Sequence, residues 1–456
     1  MATKKPLVNH QAILEQARLL SENKQWPEAM AAYQKLLKVF PKTPELLSEV
    51  GAMEIELGHF EKGLLLLAKS LALQPNQPAA LVIRGVALAR LNRLDKALAS
   101  FDRALALNAN DYTAYANKGA ALHNLKRFNE ALSCFDKAIA LNPECATAYF
   151  NKAMLKLLHG EYQEGWRLFE WRRQDPQKKL LRKFVKQQWL GELPVADKRI
   201  LIHTEQGFGD FIQFCRYVVL LAELAAKVIV EAPSAVFPLI CSLKGQNITV
   251  IELGQPIPEY DLQLPIMSLP LAFKTTLKTI PAVVPYLYAD TDKQRIFAQG
   301  SGNKTLPRIG LVWSGSTKHK NDSVRSIPLK QLAPLLMLPF EFHSLQKEIK
   351  PEELKTLAKF SGLHPHQHEL HDFSDTAALI QEMDIVISVD TSVAHLAGAL
   401  GKPVWILLQF VPDHRWLLDR TDSPWYPTAT LFRQSVINDW DNVMLNVVNK
   451  LRSTFP

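Results

Sequence analysis

Apolar positions in the first third of the chain recur at helical spacing, and the whole pattern repeats every 34 residues. Gly51, Gly85 and Gly119 stand 34 apart, and Ala17 and Ala153 extend that ladder in both directions. Three further columns keep step: Ala29, Gly63, Ala97, Ala131 and Gly165; Tyr33, Leu67, Phe101, Phe135 and Phe169; Pro41, Pro75, Ala109 and Pro143. Small residues let the two helices of a hairpin approach, large ones fill the seam to the next unit, and proline stops the second helix. The pattern predicts about five helical hairpins over residues 10–173, stacked into a superhelix whose groove can grip a partner protein.

Past residue 190 the long period disappears and short apolar runs alternate with helical patterns. The runs RILIHT (199–204), KVIVEA (227–232), ITVIEL (248–253), RIGLVW (308–313), FEFHSL (340–345), DIVISV (384–389) and PVWILL (403–408) are the expected strands. Several are apolar on both faces, as parallel strands covered by helices must be. They fall into two α/β groups, 199–290 and 308–435, separated by a connector at 291–307 and followed by an amphipathic helix at 436–456. Two open sheets facing each other make a cleft, and ligands in such sheets lie beyond the carboxyl ends of the strands.

A length of 456 residues exceeds what one core supports, which agrees with several domains. The net charge of +8 is uneven: eight basic residues lie between Arg167 and Lys186, against Glu170 and Asp175. That stretch, within a basic linker at 174–198, reads as a solvated connecting helix or as a docking surface for an acidic partner. Base-reading motifs are missing, so nucleic acid is not expected as a partner. Neither a signal peptide nor a membrane span is legible, and four cysteines without CxxC spacing fit a reduced, cytoplasmic setting with no structural zinc.

Candidate chemistry sits in loops after the expected strands. In HTEQGFGD (203–210), Gly207 and Gly209 permit a tight turn and close approach to a ligand, and Asp210 opens a helix either as its N-cap or as a catalytic carboxylate. As a dinucleotide fingerprint the loop is weak, because Ile212 stands where a third glycine belongs. In SVDTSVAHLAGALGKPVWILL, Ser392 reads as the N-cap of a short helix ending at Gly401. Its first-turn N–H groups, with Thr391 and Ser392 hydroxyls and His395, suit a diphosphate. A third loop, WSGSTKHKNDSVRS, offers Ser314, Gly315, Ser316 and Thr317 as small donors, with Lys318, Lys320 and Arg325 as charges.

These residues carry a resemblance. The unit NKGAALHNLKRFNEALSCFDKAIALNPE resembles the tetratricopeptide repeat. Together, EQGFGDFIQFCRY, GLVWSGS, SLQKE, DFSDTAALI, MDIVISVDTSVAHLAGALGKPVW and DSPWYP look like bacterial tetratricopeptide-repeat glycosyltransferases, whose catalytic half is similar to glycosyltransferase family 9, the heptosyltransferases. The resemblance implies a GT-B fold behind the repeat superhelix: two Rossmann-like domains facing a cleft, acceptor side first and nucleotide-sugar side second. It implies an inverting, metal-independent transfer from a nucleotide-diphosphate sugar, with that sugar as co-substrate and no cofactor.

By the same resemblance Asp210 is the base, with Glu205 second. Gly207, Gly209, Trp313, Ser314, Gly315, Ser316, Lys318, Arg325, Asp390, Thr391, Ser392 and His395 hold the donor, serine at 392 replacing the family's glycine. The nucleobase and ribose are expected near Ser344, Leu345 and Gln346 and near Asp372 to Thr376, and the last helix is expected to cross back to the first domain. The acceptor, a protein or glycan carrier, is expected on the repeat groove. A repeat scaffold with an inactive, sugar-binding transferase half is the alternative.

Three signals are set aside. Asp290, Thr291 and Asp292 spell a D-x-D triplet, but in the connector, and HPHQHELH (364–371) lacks the cysteines or helical spacing of a metal site. PDHRWLLDR (412–420) places His414, Arg415 and Trp416 just after a strand, as a ligand contact or a capped surface loop.

Overall fold

The computed structural model describes residues 5–23, 25–174, 182, 184–205, 207–300, 305–316 and 322–456. The chain forms two compact units, Met1–Leu155 and Lys156–Pro456.

The first unit is built of antiparallel helix pairs: α1 (Lys5–Glu22), α2 (Trp26–Val39), α3 (Pro44–Glu56), α4 (Phe60–Leu73), α5 (Pro78–Arg90), α6 (Leu94–Leu107), α7 (Tyr112–Asn124) and α8 (Phe128–Leu141), with α9 (Ala146–Leu158) reaching past its end. The repeating columns are its core. Ala29, Tyr33, Leu67, Ala97, Phe101, Ala131 and Phe135 are fully buried. A Cβ on Gly85 or Gly119 would strike the ring of Phe101 or Phe135, so each glycine admits an aromatic from the paired helix. Ion pairs keep the same period, Lys118–Asp102 at 2.6 Å and Lys152–Asp136 at 2.7 Å. Both aspartates are more than half exposed, so these pairs set register more than stability.

The second unit opens with α10 (Tyr162–Phe169) and a 3₁₀ turn, Glu170–Arg173. Two parallel sheets follow. The first has strand order β3-β2-β1-β4, with β1 Arg199–His203, β2 Lys227–Ala232, β3 Ile248–Glu252 and β4 Leu262–Pro265. The second has order β10-β9-β8-β5-β6-β7, with β5 Arg308–Val312, β6 Glu341–Ser344, β7 Leu363–Pro365, β8 Ile385–Val389, β9 Val404–Leu408 and β10 Ala429–Arg433. Counted from its own first strand, the second sheet runs 6-5-4-1-2-3, the doubly wound dinucleotide-fold order. Strand order reverses between β1 and β4 in one sheet and between β5 and β8 in the other, and loops that can hold a ligand are expected at those two points.

Several features differ from the sequence reading. The end of the linker is an extended edge, Gln187–Trp189 running alongside β4 with Trp189 N–H donating to Gln263 O at 2.9 Å and Gln263 N–H to Gln187 O at 3.1 Å, while 175–181 and 183 of the basic stretch lie outside the described residues. Its described cations are partly spent internally, Arg172 on Glu170 and Glu205 and Arg182 on Glu231. The connector holds a helix, Thr291–Gly300, whose Lys293 meets Asp375 at 2.6 Å. The C-terminal helix Trp440–Thr454 does not cross back. Its Trp440, Val443, Met444, Val447, Val448 and Leu451 share one core with Ile309, Leu311, Trp405 and Leu407 of the second sheet.

Candidate functional site

At the first reversal point the chain leaves β1 through Thr204 and Glu205 and enters α11 (Phe208–Phe214), followed by α12 (Arg216–Ala222). Gly207 is the N-cap of α11 and makes no side-chain cap bond, so Asp210 stands one turn inside, at the third helical position. The capping reading of Asp210 is therefore replaced: its carboxylate points elsewhere. Glu205, the second candidate base, is held by buried Arg172 at 2.7 Å. Arg172 also donates to Ser268 Oγ at 2.8 Å, beyond the end of β4, and pairs with Glu170 at 2.6 Å. A guanidinium thus fills the crevice between the ends of β1 and β4, and Glu205 is its counter-ion.

At the second reversal point the loops after β5 and β8 lie side by side. Gly315 N–H donates to Asp322 Oδ1 at 3.1 Å and to Ser326 Oγ at 3.2 Å, while Arg325 donates across the crevice to the Asp390 carbonyl at 3.0 Å. A Cβ at Gly315 would overlap the Arg325 guanidinium, which would have to move aside. Gln346 braces the same loop, its Nε2 donating to Ser314 O at 2.9 Å and Ser314 Oγ at 3.0 Å. Ser344 is fully buried, its Oγ accepting from Gln346 N–H. Trp313 is corrected from ligand contact to core: it is fully buried in the cluster under the sheet, with its indole N–H donating to Glu353 at 2.9 Å. Ser316 is exposed at the loop tip, and Lys318 falls outside the described residues.

The helix after β8 is Ser392–Ala399, with Thr391 rather than Ser392 as N-cap. Thr391 Oγ1 hydrogen-bonds Ser388 Oγ at 3.0 Å. His395 is buried, stacked on Trp416 with ring centres 5.3 Å apart, and its Nδ1 meets the Tyr426 hydroxyl at 2.9 Å. With that hydroxyl donating, the ring proton stands on Nε2, 3.8 Å from Asp390 Oδ1. Burial, reinforced by nearby Arg415, holds His395 well below the ordinary imidazole pKa, so the ring is neutral. Burial and the neighbouring Asp413 carboxylate push Asp390 up to about 6.

The two loops meet directly. A Cβ built on Gly209 would lie 3.0 Å from His395 Cδ2 and 3.3 Å from Ser392 Cα. Phe208 and Phe373 rings touch edge to face at 5.4 Å. Asp210 Oδ1 accepts from Arg415 Nη2 at 2.7 Å, an ion pair between α11 and the turn after β9. Nearby, buried Arg216 of α12 donates to Trp425 O at 2.7 Å and Tyr286 Oη at 2.9 Å, and lies over the Tyr426 ring at 4.6 Å. Asp210, Gly209, Ser392, His395 and Asp390 therefore form one cluster, with Arg325 and Gly315 reaching it through Asp390. Ser344, Gln346 and Trp313 stand behind the β5 loop rather than in the cluster.

Residues 11–43, 54–112 and 112–145 match tetratricopeptide-repeat models, and residues 370–416 match the model for glycosyltransferase family 9 (heptosyltransferase). The chain carries tetratricopeptide repeats and a glycosyltransferase family 9 domain. The family 9 match takes in Asp372–Thr376, Asp390–His395 and Arg415. Protein FlbA of Caulobacter vibrioides is 24% identical over 329 residues, 66% of this chain and 54% of its own length. The chain thus spans about half of that relative. Among solved structures, MamA from Desulfovibrio magneticus is 18% identical and covers 37% of this chain and 97% of its own, with a TM-score of 0.33. PilW, a type IV pilus biogenesis factor, is 22% identical over 37% of this chain and 80% of its own, with a TM-score of 0.34.

Arg415 was set aside in the sequence reading as a ligand contact or part of a capped surface loop, yet it pairs with Asp210. Its loop followed a strand, but its partner lies 205 residues away. Among the described residues no cluster of three or more His, Cys, Asp and Glu is arranged to hold a metal ion. Asp290 instead caps the connector helix, accepting from the N–H groups of Asp292 and Lys293 at 2.9 Å each. His343, His364 and His366 stack on one another at the sheet edge, with ring centres 5.1 and 5.3 Å from His343. Among the described residues no helix is long and apolar enough to cross a membrane.

Proposed function

We propose that the protein transfers a sugar from a nucleoside-diphosphate sugar to an acceptor hydroxyl with inversion and without a metal, in the cytoplasm. Asp210 takes the proton of the acceptor hydroxyl as its oxygen bonds to the anomeric carbon. The bond from that carbon to the phosphate oxygen breaks, and the nucleoside diphosphate leaves with the electron pair. Neutral His395, the hydroxyls of Thr391 and Ser392, the N–H groups opening their helix, and the Ser314–Ser316 loop with Lys318 and Arg325 take the diphosphate charge. The acceptor, a protein or a glycan carrier, is recruited by the repeat groove. FlbA and the solved repeat proteins lend no substrate or partner to this reading.

What supports it is the meeting of the two loops: Gly209, next to Asp210 in the first turn of α11, packs against His395 and Ser392, and Asp210 itself pairs with Arg415 of the family 9 segment. The experiment is a panel of nucleoside-diphosphate sugars offered to the purified full chain, scored for slow hydrolysis and for transfer. One donor should turn over, and Asp210→Ala should abolish turnover while nucleotide binding persists. Binding without turnover by the unaltered protein favours an inactive scaffold, and no binding across the panel refutes the assignment.

A further inference from the structure

Asp210, the base of the proposed transfer, is not a free carboxylate. One of its oxygens is taken by Arg415 at 2.7 Å, and Arg415 is 8% exposed. The stem of Arg415 is fixed separately. Its backbone N–H donates to Asp413 Oδ1 at 3.2 Å, and Nε lies 3.3 Å from the same oxygen, so only the outer edge of the guanidinium reaches Asp210. The same cation feels Asp413, Asp210 and Asp390 together, and Asp390 belongs to the loop assigned to the diphosphate. Arg325 approaches that loop from the other side through the Asp390 carbonyl. A guanidinium fork suits a carboxylate and a phosphate equally in shape, and the more highly charged anion holds it harder.

We propose that Asp210 and the donor's diphosphate compete for Arg415, so that donor binding draws the guanidinium away and frees the base only when a sugar is in place. The inference rests on the transferase reading above. It makes Arg415 a donor-binding residue that also restrains Asp210, and it explains why an arginine faces a carboxylate that must accept a proton.

The test is a double-mutant cycle on diphosphate affinity. Titration calorimetry at fixed ionic strength is run with ADP, GDP, UDP, CDP and dTDP on the full chain, as wild type, Asp210→Asn, Arg415→Gln and both together. Arg415→Gln should weaken the bound nucleotide by about tenfold or more, and Asp210→Asn should tighten it by about tenfold, by the strength of a charge-assisted pair. The tightening should vanish when Arg415→Gln is already present. A role confined to folding moves both single variants in one direction. An Asp210→Asn protein with unchanged affinity overturns the inference, and so does a gain that survives Arg415→Gln, which would mark simple repulsion between anions. Should Arg415→Gln not fold, Arg415→Lys keeps the charge without the fork, and the gain from Asp210→Asn must shrink there. Binding of none of the five nucleotides by the wild type overturns the transferase reading and this inference with it, whereas binding without the coupling overturns this inference alone.

Discussion

Replacing Gly209 by alanine tests whether the two loops work in the contact described. The new Cβ would stand 3.0 Å from His395 Cδ2 and 3.3 Å from Ser392 Cα, where carbon atoms prefer about 3.5–4.0 Å. His395 cannot swing aside freely, because Trp416 stacks on one side and Tyr426 holds Nδ1. The Ser392–Ala399 helix and α11 must therefore part by about 0.5 Å, from those preferred separations. Overpacking of this size costs about 1–3 kcal/mol, and alanine in the first turn of α11 returns up to about 1 kcal/mol of helix propensity. Net stability should fall by no more than about 3 kcal/mol, from the same two terms. Turnover is more sensitive: a misplacement of about 1 Å can lower a rate about a hundredfold, so roughly tenfold is expected here. Thermal melting and kcat on the donor found in the panel, measured side by side, should show a small change in Tm and a large change in kcat. Wild-type kcat in Gly209→Ala would refute the claim that the loops act at this separation.

Arg172→Met should lower the unfolding free energy of the Lys156–Pro456 unit, read from denaturant melts, by about 3–5 kcal/mol, because it leaves Glu205 and Glu170 without their buried counter-ion. Glu205→Gln should cost stability, and its kcat should stay within about tenfold of wild type if Glu205 is a counter-ion and not the base. Burial holds His203 down to about 4 and His343 down to about 3, the latter aided by His366 and His364, against an ordinary 6.5. Both stay neutral when folded while the unfolded chain takes up protons, so stability is full above 6.5 and falls as pH drops from 6.5 towards 4. For His203 the loss is roughly 3 kcal/mol once the pH is below both values. His203→Gln should flatten that part of a stability-versus-pH curve, and an unchanged slope would contradict the buried neutral state.

Several of the seven strands legible in the sequence are apolar on both faces, such as Val228–Val230 and Val386–Ile387, where burial under helices dictates composition. Those not legible are short or lie at sheet edges: Leu262–Pro265 carries Gln263 and a proline, Leu363–Pro365 is exposed past its first residue, and Ala429–Arg433 ends in a charge. The connector helix hid behind a polar sequence, since Lys293 and Asp375 join it to its neighbour by charge and not by an apolar stripe. Trp313 looked like a ligand contact because it ends a strand, yet its side chain alternates into the core. The loop residues Gly209, Asp210, Ser392 and His395 were legible because turn chemistry is local. The Arg415–Asp210 pair was not, because no local pattern links a turn after β9 to the first turn of α11.

The most direct test of the account is a single turnover. Protein loaded with its donor is mixed with acceptor, and release of nucleoside diphosphate is followed for wild type and for Asp210→Ala. The expected result is transfer by the wild type, and at least a thousandfold slower transfer by the variant, roughly the upper range for loss of a general base, with the donor still bound at equal or higher affinity. Transfer by Asp210→Ala at the wild-type rate would contradict the account, because the carboxylate paired with Arg415 would then have no part in the reaction.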